Sequence, residues 1–114
     1  MDKTISQFES VIDICRSLYV RKLQDYGASW RIMRPVSITD QLYIKAKRIR
    51  SLEIKKVAMV DEGIMPEFIA VVNYGIIGLI QLELGFADKK DIAPEQAIEL
   101  YDKWMKITKE LMYA

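Results

Sequence analysis

The spacing of apolar and polar residues predicts four helices joined by short connections. Apolar residues recur at steps of three and four along most of the chain, as on one face of an α-helix. Gly27 is predicted to end the first helix, because glycine accepts left-handed backbone. Ser37 is predicted to cap the second helix, with Asp40 as the acid of a capping box. The predicted helices cover residues 4–24, 37–53, 66–84 and 94–114. The pattern therefore predicts an all-α fold, a four-helix, mostly antiparallel bundle.

The second predicted helix places a lysine on its apolar face. At about 100° per residue, Lys45 falls in the middle of the apolar arc, and Gln41 and Arg48 flank it on one side. The arc consists of Ile38, Leu42, Ala46, Ile49 and Leu52. Either the lysine stem covers apolar surface and carries its ammonium to solvent, or the ammonium faces an anion held by the fold. Both interpretations stay open at this point.

The third predicted helix is apolar on almost every side but contains Asn73. A buried amide costs a few kcal/mol, about 1–3, if it has no partner. Asn73 is thus expected either to form a hydrogen bond between helices or to contact a ligand. Gly75 and Gly78 share the opposite arc, where the close approach of another backbone, from this chain or a second one, would offset their cost.

The connector from Asp25 to Pro35 carries residues that suit nucleotide recognition. Tyr26 and Trp30 could stack against a base, and Arg31 could bind a phosphate. The alternative is an apolar plug that closes one end of the bundle.

Three acids precede or begin the third helix. Asp61, Glu62 and Glu67 could hold Mg²⁺ together with substrate phosphates. Glu67 also suits the positive end of a helix dipole, and Asp40 has a capping role as an alternative to metal binding.

The composition limits the kinds of binding partner and the kinds of catalytic or metal site that the sequence can support. Lys plus Arg is 17 against 16 for Asp plus Glu, so no bulk charge attracts nucleic acid, although basic residues cluster between positions 45 and 56. That cluster is either a solvated face or a phosphate-facing surface. The absence of histidine excludes imidazole bases and His-ligated zinc, and the single cysteine, Cys15, predicts a reducing cytoplasm. The third helix is predicted to be a bundle core rather than a membrane span.

The last predicted helix resembles the first. Residues 101–114 align with residues 8–21, aromatic on aromatic and charge on charge. This weak repeat predicts that residues 95–114, within a single domain of residues 1–114, are the first helix of a truncated second copy.

Longer strings resemble a known family. KLQDYGASWRIMRPVSITDQLYIKAKRIRSLE and VDEGIMPEFIAVVNYGIIGLIQLELG resemble the nucleotide modification associated domain 1 family of bacterial and phage proteins. The resembling motifs are the DYG-x-S-W turn, the D-Q-x-x-x-K-A-x-R-I helix and the D-E-G, E-F-I and N-Y-x-I segments, over about residues 8 to 86. The resemblance implies an all-α domain associated with the metabolism of modified nucleotides.

A more distant similarity is to all-α nucleoside triphosphate pyrophosphohydrolases of the MazG type. Those enzymes carry E-x-x-E and E-x-x-D on core helices, whereas this chain has Lys45 and Arg48 in place of the glutamates and Ala70 in place of the aspartate. Cations at those positions favour direct phosphate binding over metal-assisted cleavage.

These patterns together predict a cytoplasmic domain that forms a homo-oligomer such as a dimer and binds a nucleotide or nucleoside phosphate. In this hypothesis Lys45, Arg48 and Arg31 bind phosphate, Tyr26 and Trp30 contact the base, and Asn73 and Gln41 complete the pocket. The alternative function is a non-catalytic module for helical oligomerisation or interaction.

Overall fold

The structure, a computed structural model, describes residues 2–56 and 63–114. The helices are α1 (Asp2–Tyr26), α2 (Pro35–Ile54), α3 (Ile64–Leu84) and α4 (Pro94–Tyr113), and a 3-10 turn covers Ser29–Ile32. The predicted all-α fold is confirmed. Asp61 and Glu62, two of the predicted metal ligands, lie outside the described residues.

The start of the second helix differs from the prediction. α2 begins at Pro35 with Arg34 at its N-cap, and the cap forms no side-chain hydrogen bond. Ser37 therefore lies within the first turn, and the predicted capping by Ser37 and Asp40 is wrong. The reason is that Pro35 fixes its own φ near the helical value and has no N–H to satisfy, so the helix can begin two residues earlier.

Cross-helix pairs show that α1 and α4 run antiparallel. The Arg16 guanidinium donates two hydrogen bonds to Asp102, at 2.8 and 2.9 Å, and Lys109 Nζ donates to Glu9 Oε2 at 2.7 Å. Early positions of α1 thus meet late positions of α4.

The core lies between α1, α3 and α4, where Cys15, Ile80 and Tyr101 are fully buried. Each large apolar side chain removed from water stabilises the fold by about 1.5–3 kcal/mol. α2 packs chiefly on α3 and buries Ile38, Ile49 and Leu52. Since α2 lies mainly against α3, a cavity remains beside α1.

The connector between α1 and α2 is held in the fold by polar contacts. Gly27, at φ +68°, ends α1 as predicted, and its N–H donates to the Leu23 carbonyl at 2.8 Å. The buried Gln81 side chain donates from Nε2 to the carbonyls of three connector residues, Trp30, Arg31 and Met33, at 2.8–3.2 Å. These bonds fix the position of Trp30 at the end of the bundle.

Helix α3 would be long and apolar enough to span a membrane by length and composition alone, with a mean hydropathy of 1.5 over the relevant window. Its two buried polar residues, Asn73 and Gln81, are both hydrogen-bonded to other parts of the chain. Of the described helices, α3 is the one on which α1, α2 and α4 all pack.

Candidate functional site

A cavity of about 480 Å³ lies between α1, α2, α3 and the connector. Its volume falls in the range of about 300–1,000 Å³ that is usual for small-molecule sites. The lining combines aromatic rings with charged and polar groups. The residues that carry these groups are Tyr19, Lys22, Tyr26, Ser29, Trp30, Lys45, Glu67, Asn73 and Tyr74.

Lys45 and Glu67 face each other on this cavity. The antiparallel packing of α2 and α3 brings Lys45, in the middle of α2, to the first turn of α3, with its Nζ 3.4 Å from Glu67 Oε2. Glu67 Oε2 is covered and accepts no hydrogen bond from any described residue. The pair is therefore a loose ion contact rather than a tight hydrogen bond, since charged N–H···O bonds are usually about 2.7–2.9 Å long. The Lys45 ammonium thus faces an acid of its own fold.

Arg48 contributes less directly to this site. Its Nε lies 3.9 Å from Glu67 Oε1, but its side chain is 59% exposed and does not line the cavity. A long exposed arginine on the next turn of α2 could still reach an anion at the cavity mouth, because its stem is flexible.

Asn73 lines the cavity and is already hydrogen-bonded within the fold. Its Nδ2 donates to the Cys15 carbonyl at 3.0 Å, and its Oδ1 accepts from the Tyr101 hydroxyl at 2.7 Å. A carboxamide has two N–H donors and two acceptor lone pairs, so one of each remains after these bonds. The amide is thus positioned by α1 and α4 and keeps some capacity for a further contact.

Two tyrosines beside the cavity are held in their neutral form. Burial raises the pKa of Tyr19 and of Tyr101 well above the usual tyrosine value. Their rings stack with centroids 4.3 Å apart, and the Tyr19 hydroxyl donates to the Ala97 carbonyl at 3.0 Å. These groups therefore act as hydrogen-bond donors that stabilise the wall of the cavity.

The two predicted base-binding residues occupy different positions on the cavity. Trp30 is 8% exposed, and its indole Nε1 is buried without an acceptor among the described residues. Tyr26 is 64% exposed at the end of α1. Trp30 is therefore a fixed wall, whereas Tyr26 stands at the mouth, where its ring can rotate.

Two other predicted site residues lie away from the lining. Gln41 is half-buried on α2 and does not line the cavity. Arg31 is buried, and its guanidinium donates to Asp91, to Gln81 Oε1 and to the Gly85 carbonyl. The Arg31 guanidinium also holds the pKa of the Asp91 carboxyl below its usual value. In this structure the charge of Arg31 is thus compensated inside the fold, which argues against its predicted role with phosphate.

The predicted Mg²⁺ ligands are represented in the described part of the chain by Glu67 alone. Within residues 2–56 and 63–114, no three His, Cys, Asp or Glu side chains are grouped so that they could hold a metal ion. Asp40, the further candidate, is exposed on α2 and does not line the cavity.

The structure adds Lys22 and Tyr74 to the site, neither of which the sequence prediction included. Leu18, Lys22 and Tyr26 are four residues apart on α1, so they lie on the same face of the helix. Because Tyr26 was already a predicted site residue, this spacing could have indicated Lys22. Tyr74 directly follows Asn73. Whether Lys22 and Tyr74 line the same cavity depends on how α1 packs relative to α3, which the spacing along each helix does not specify.

Comparison with known proteins points to one family. A family model described as nucleotide modification associated domain 1 matches residues 22–82. Every residue that lines the cavity falls in this span except Leu18 and Tyr19. Searches of curated proteins and of solved structures found no match. Because the family model covers more than half of the sequence, the chain belongs to the nucleotide modification associated domain 1 family.

Proposed function

We propose that the cavity between α1, α2 and α3 binds a nucleotide or nucleoside phosphate. The observation that carries this proposal is the convergence of cationic, aromatic and amide groups from different elements on one cavity of about 480 Å³. Family membership supports a role in the metabolism of modified nucleotides.

The charge of the lining favours an anionic guest. Among the residues that the structure describes, the ionisable groups of the lining other than tyrosine are Lys22, Lys45 and Glu67, so two cations face one carboxylate. Lys45 is loosely held by Glu67. Its ammonium can therefore turn toward a phosphate oxygen of the guest and form a shorter hydrogen bond there. Lys22 provides a second ammonium from α1, in the role first assigned to Arg31.

The aromatic groups suit the base. Trp30 supplies a buried wall, and Tyr26 supplies an exposed ring at the mouth that could close over a planar guest. The remaining donor and acceptor positions of Asn73 could contact a sugar hydroxyl or a base edge.

A more specific version of the proposal is that the protein hydrolyses a nucleoside triphosphate. Glu67 would be one ligand of a Mg²⁺ ion shared with the substrate phosphates, together with Asp61 or Glu62. Bound Mg²⁺ would polarise the phosphoanhydride toward attack by water. Release of pyrophosphate together with a nucleoside monophosphate would support this version.

A non-catalytic interaction module is the second candidate function. It is favoured by the two internal hydrogen bonds of Asn73 and by the pairing of Lys45 with an acid of the same chain. In that case the cavity binds no nucleotide.

Calorimetric titration with deoxynucleoside mono- and triphosphates, with and without Mg²⁺, tests the proposal. Lys45→Met should weaken binding by about tenfold or more, the equivalent of one charge-assisted contact of about 1.4 kcal/mol or greater. Lys47→Met is the matched control, because Lys47 lies two residues further along α2 and does not line the cavity. Equal affinities of the two variants, or no binding by the wild type, would contradict nucleotide binding at this cavity.

Fluorescence locates the bound base independently. The chain has two tryptophans, so Trp104→Phe leaves Trp30 as the sole indole reporter. A guest stacked in the cavity should quench Trp30, and inorganic phosphate alone should leave its emission nearly unchanged.

A further inference from the structure

Helix α3 has an apolar outer face that the other described elements leave partly open. Phe68 is 39% exposed and Leu82 is 72% exposed, and Gly75 lies midway between them. Steps of seven residues place all three on one stripe of the helix. Val72 and Leu79, which fill the intervening positions of the stripe, are partly buried against the core. The helix has no charged residue from Phe68 to Leu82.

The two glycines of α3 have different surroundings. A Cβ added at Gly78 would lie 3.4 Å from Ile38 Cγ2, so the packing of α2 accounts for a small residue there. A Cβ added at Gly75 would meet no described atom within 4 Å. Glycine in a helix interior costs about 1 kcal/mol relative to alanine. Nothing in the described chain offsets that cost at Gly75.

The exposed stripe is complementary to itself. Phe68 and Leu82 each lie seven residues from Gly75, about 10 Å along the helix axis at 1.5 Å per residue. A two-fold axis near Gly75 would place Phe68 beside the partner's Leu82, and Leu82 beside the partner's Phe68. Twofold pairing requires this reciprocity, and the glycines at the crossing point would allow the two backbones to approach closely.

The carboxylates at the two ends of the stripe are each paired with a lysine of the same chain. Glu67 lies 3.4 Å from Lys45, and Glu83 lies 2.6 Å from Lys103 of its own chain. In an antiparallel pair these ends would meet as ion pairs rather than as bare carboxylates, so two copies can approach without strong repulsion.

We propose that α3 pairs with α3 of a second copy of this chain in an antiparallel crossing centred on Gly75. The inference rests on the outer face of α3, and Phe68, Gly75 and Leu82 do not line the cavity.

Sedimentation velocity across a wide range of protein concentration tests the dimer. The wild type should shift from one chain to two as concentration rises. Leu82→Lys should remain a single chain at every concentration, because it buries an unpaired charge at the contact. Leu111→Lys is the matched control, since Leu111 is 76% exposed on α4, and it should associate like the wild type. A wild type that stays monomeric, or a Leu82→Lys variant that associates normally, would overturn the proposal.

Cysteine crosslinking tests the position of the axis. Gly75→Cys should form a disulfide-linked dimer in the presence of oxidised glutathione, which takes up the two electrons released by the paired thiols. The native Cys15 is fully buried, and burial raises the pKa of its thiol, so it should contribute little. Leu111→Cys is the control for random collisions. Crosslinking of Gly75→Cys no faster than that of Leu111→Cys would exclude this crossing point.

Discussion

The Tyr101 hydroxyl donates a hydrogen bond to Asn73 Oδ1 at 2.7 Å in the centre of the bundle. The same amide donates from Nδ2 to the Cys15 carbonyl at 3.0 Å. One side chain on α3 therefore links α4 to α1, and it fixes the relative position of three helices. These two hydrogen bonds give Asn73, a polar residue on an apolar helix, a structural role.

Removal of the Tyr101 hydroxyl should destabilise the fold. Tyr101→Phe leaves Asn73 Oδ1 buried without its donor, which should lower the free energy of unfolding by about 1–3 kcal/mol. Urea denaturation followed by circular dichroism measures the change. Tyr43→Phe, at a position that is 65% exposed, is the control and should leave the midpoint within experimental error. The same urea midpoint for both variants would show that the buried bond contributes nothing.

Arg31 is buried and should contribute strongly to the stability of the fold. Arg31→Lys cannot reproduce the fork that reaches Asp91, Gln81 and Gly85 at once, so buried acceptors lose their donors. We expect a loss of about 2–3 kcal/mol in the free energy of unfolding. Arg50→Lys, whose parent side chain is 75% exposed, should change stability little. If Arg31→Lys unfolds like Arg50→Lys, the buried network does not stabilise the connector.

Acid should destabilise the protein through carboxylates that link helices. Hydrogen bonds from Lys109 and Tyr113 lower the pKa of Glu9, and hydrogen bonds from Lys103 and Trp104 lower that of Glu83. A carboxyl whose pKa is lower in the folded than in the unfolded state stabilises the fold above its unfolded pKa. That contribution is lost as the pH falls through the folded pKa, which lies below the ordinary glutamate value.

Urea denaturation at neutral and strongly acidic pH measures this acid dependence. Glu9→Gln should reduce the difference between the two conditions, because the substituted site no longer takes up a proton. Glu110→Gln is the control, since Glu110 forms no ion pair among the described residues. An acid dependence that Glu9→Gln leaves unchanged would argue against a contribution from this link between α1 and α4.

Alanine at the two α3 glycines should have unequal effects. Gly75→Ala gains helix propensity without contacting another described atom and should raise the free energy of unfolding of the single chain by about 1 kcal/mol. Gly78→Ala places its Cβ at 3.4 Å from Ile38, so some of the same gain is lost to repacking. Thermal unfolding at low protein concentration compares the two variants directly. A larger gain for Gly78→Ala would contradict the difference in surroundings.

The helices were predictable because their signals are local. Periodic apolar residues, Gly27 after α1 and Pro94 at the start of α4 all act within a turn or two of their own position. The capping prediction at Ser37 was wrong for an equally local reason, because Pro35 provides a competing start two residues earlier. Among the residues that line the cavity, the sequence indicated Tyr26, Trp30, Lys45, Glu67 and Asn73, but it missed Lys22 and Tyr74.

By itself the sequence determined the four helices, the presence of Lys45 and Asn73 on apolar faces, and membership of the family. Only the tertiary structure decided which partners these groups have. It paired Asn73 with Cys15, 58 positions away in the sequence, and with Tyr101, 28 positions away. It paired Arg31 with Asp91, 60 positions away. It also placed α2 against α3 rather than α1, which leaves the cavity open. The physical reason is that helix periodicity depends on neighbouring residues, whereas the partner of a buried polar group depends on how whole helices pack.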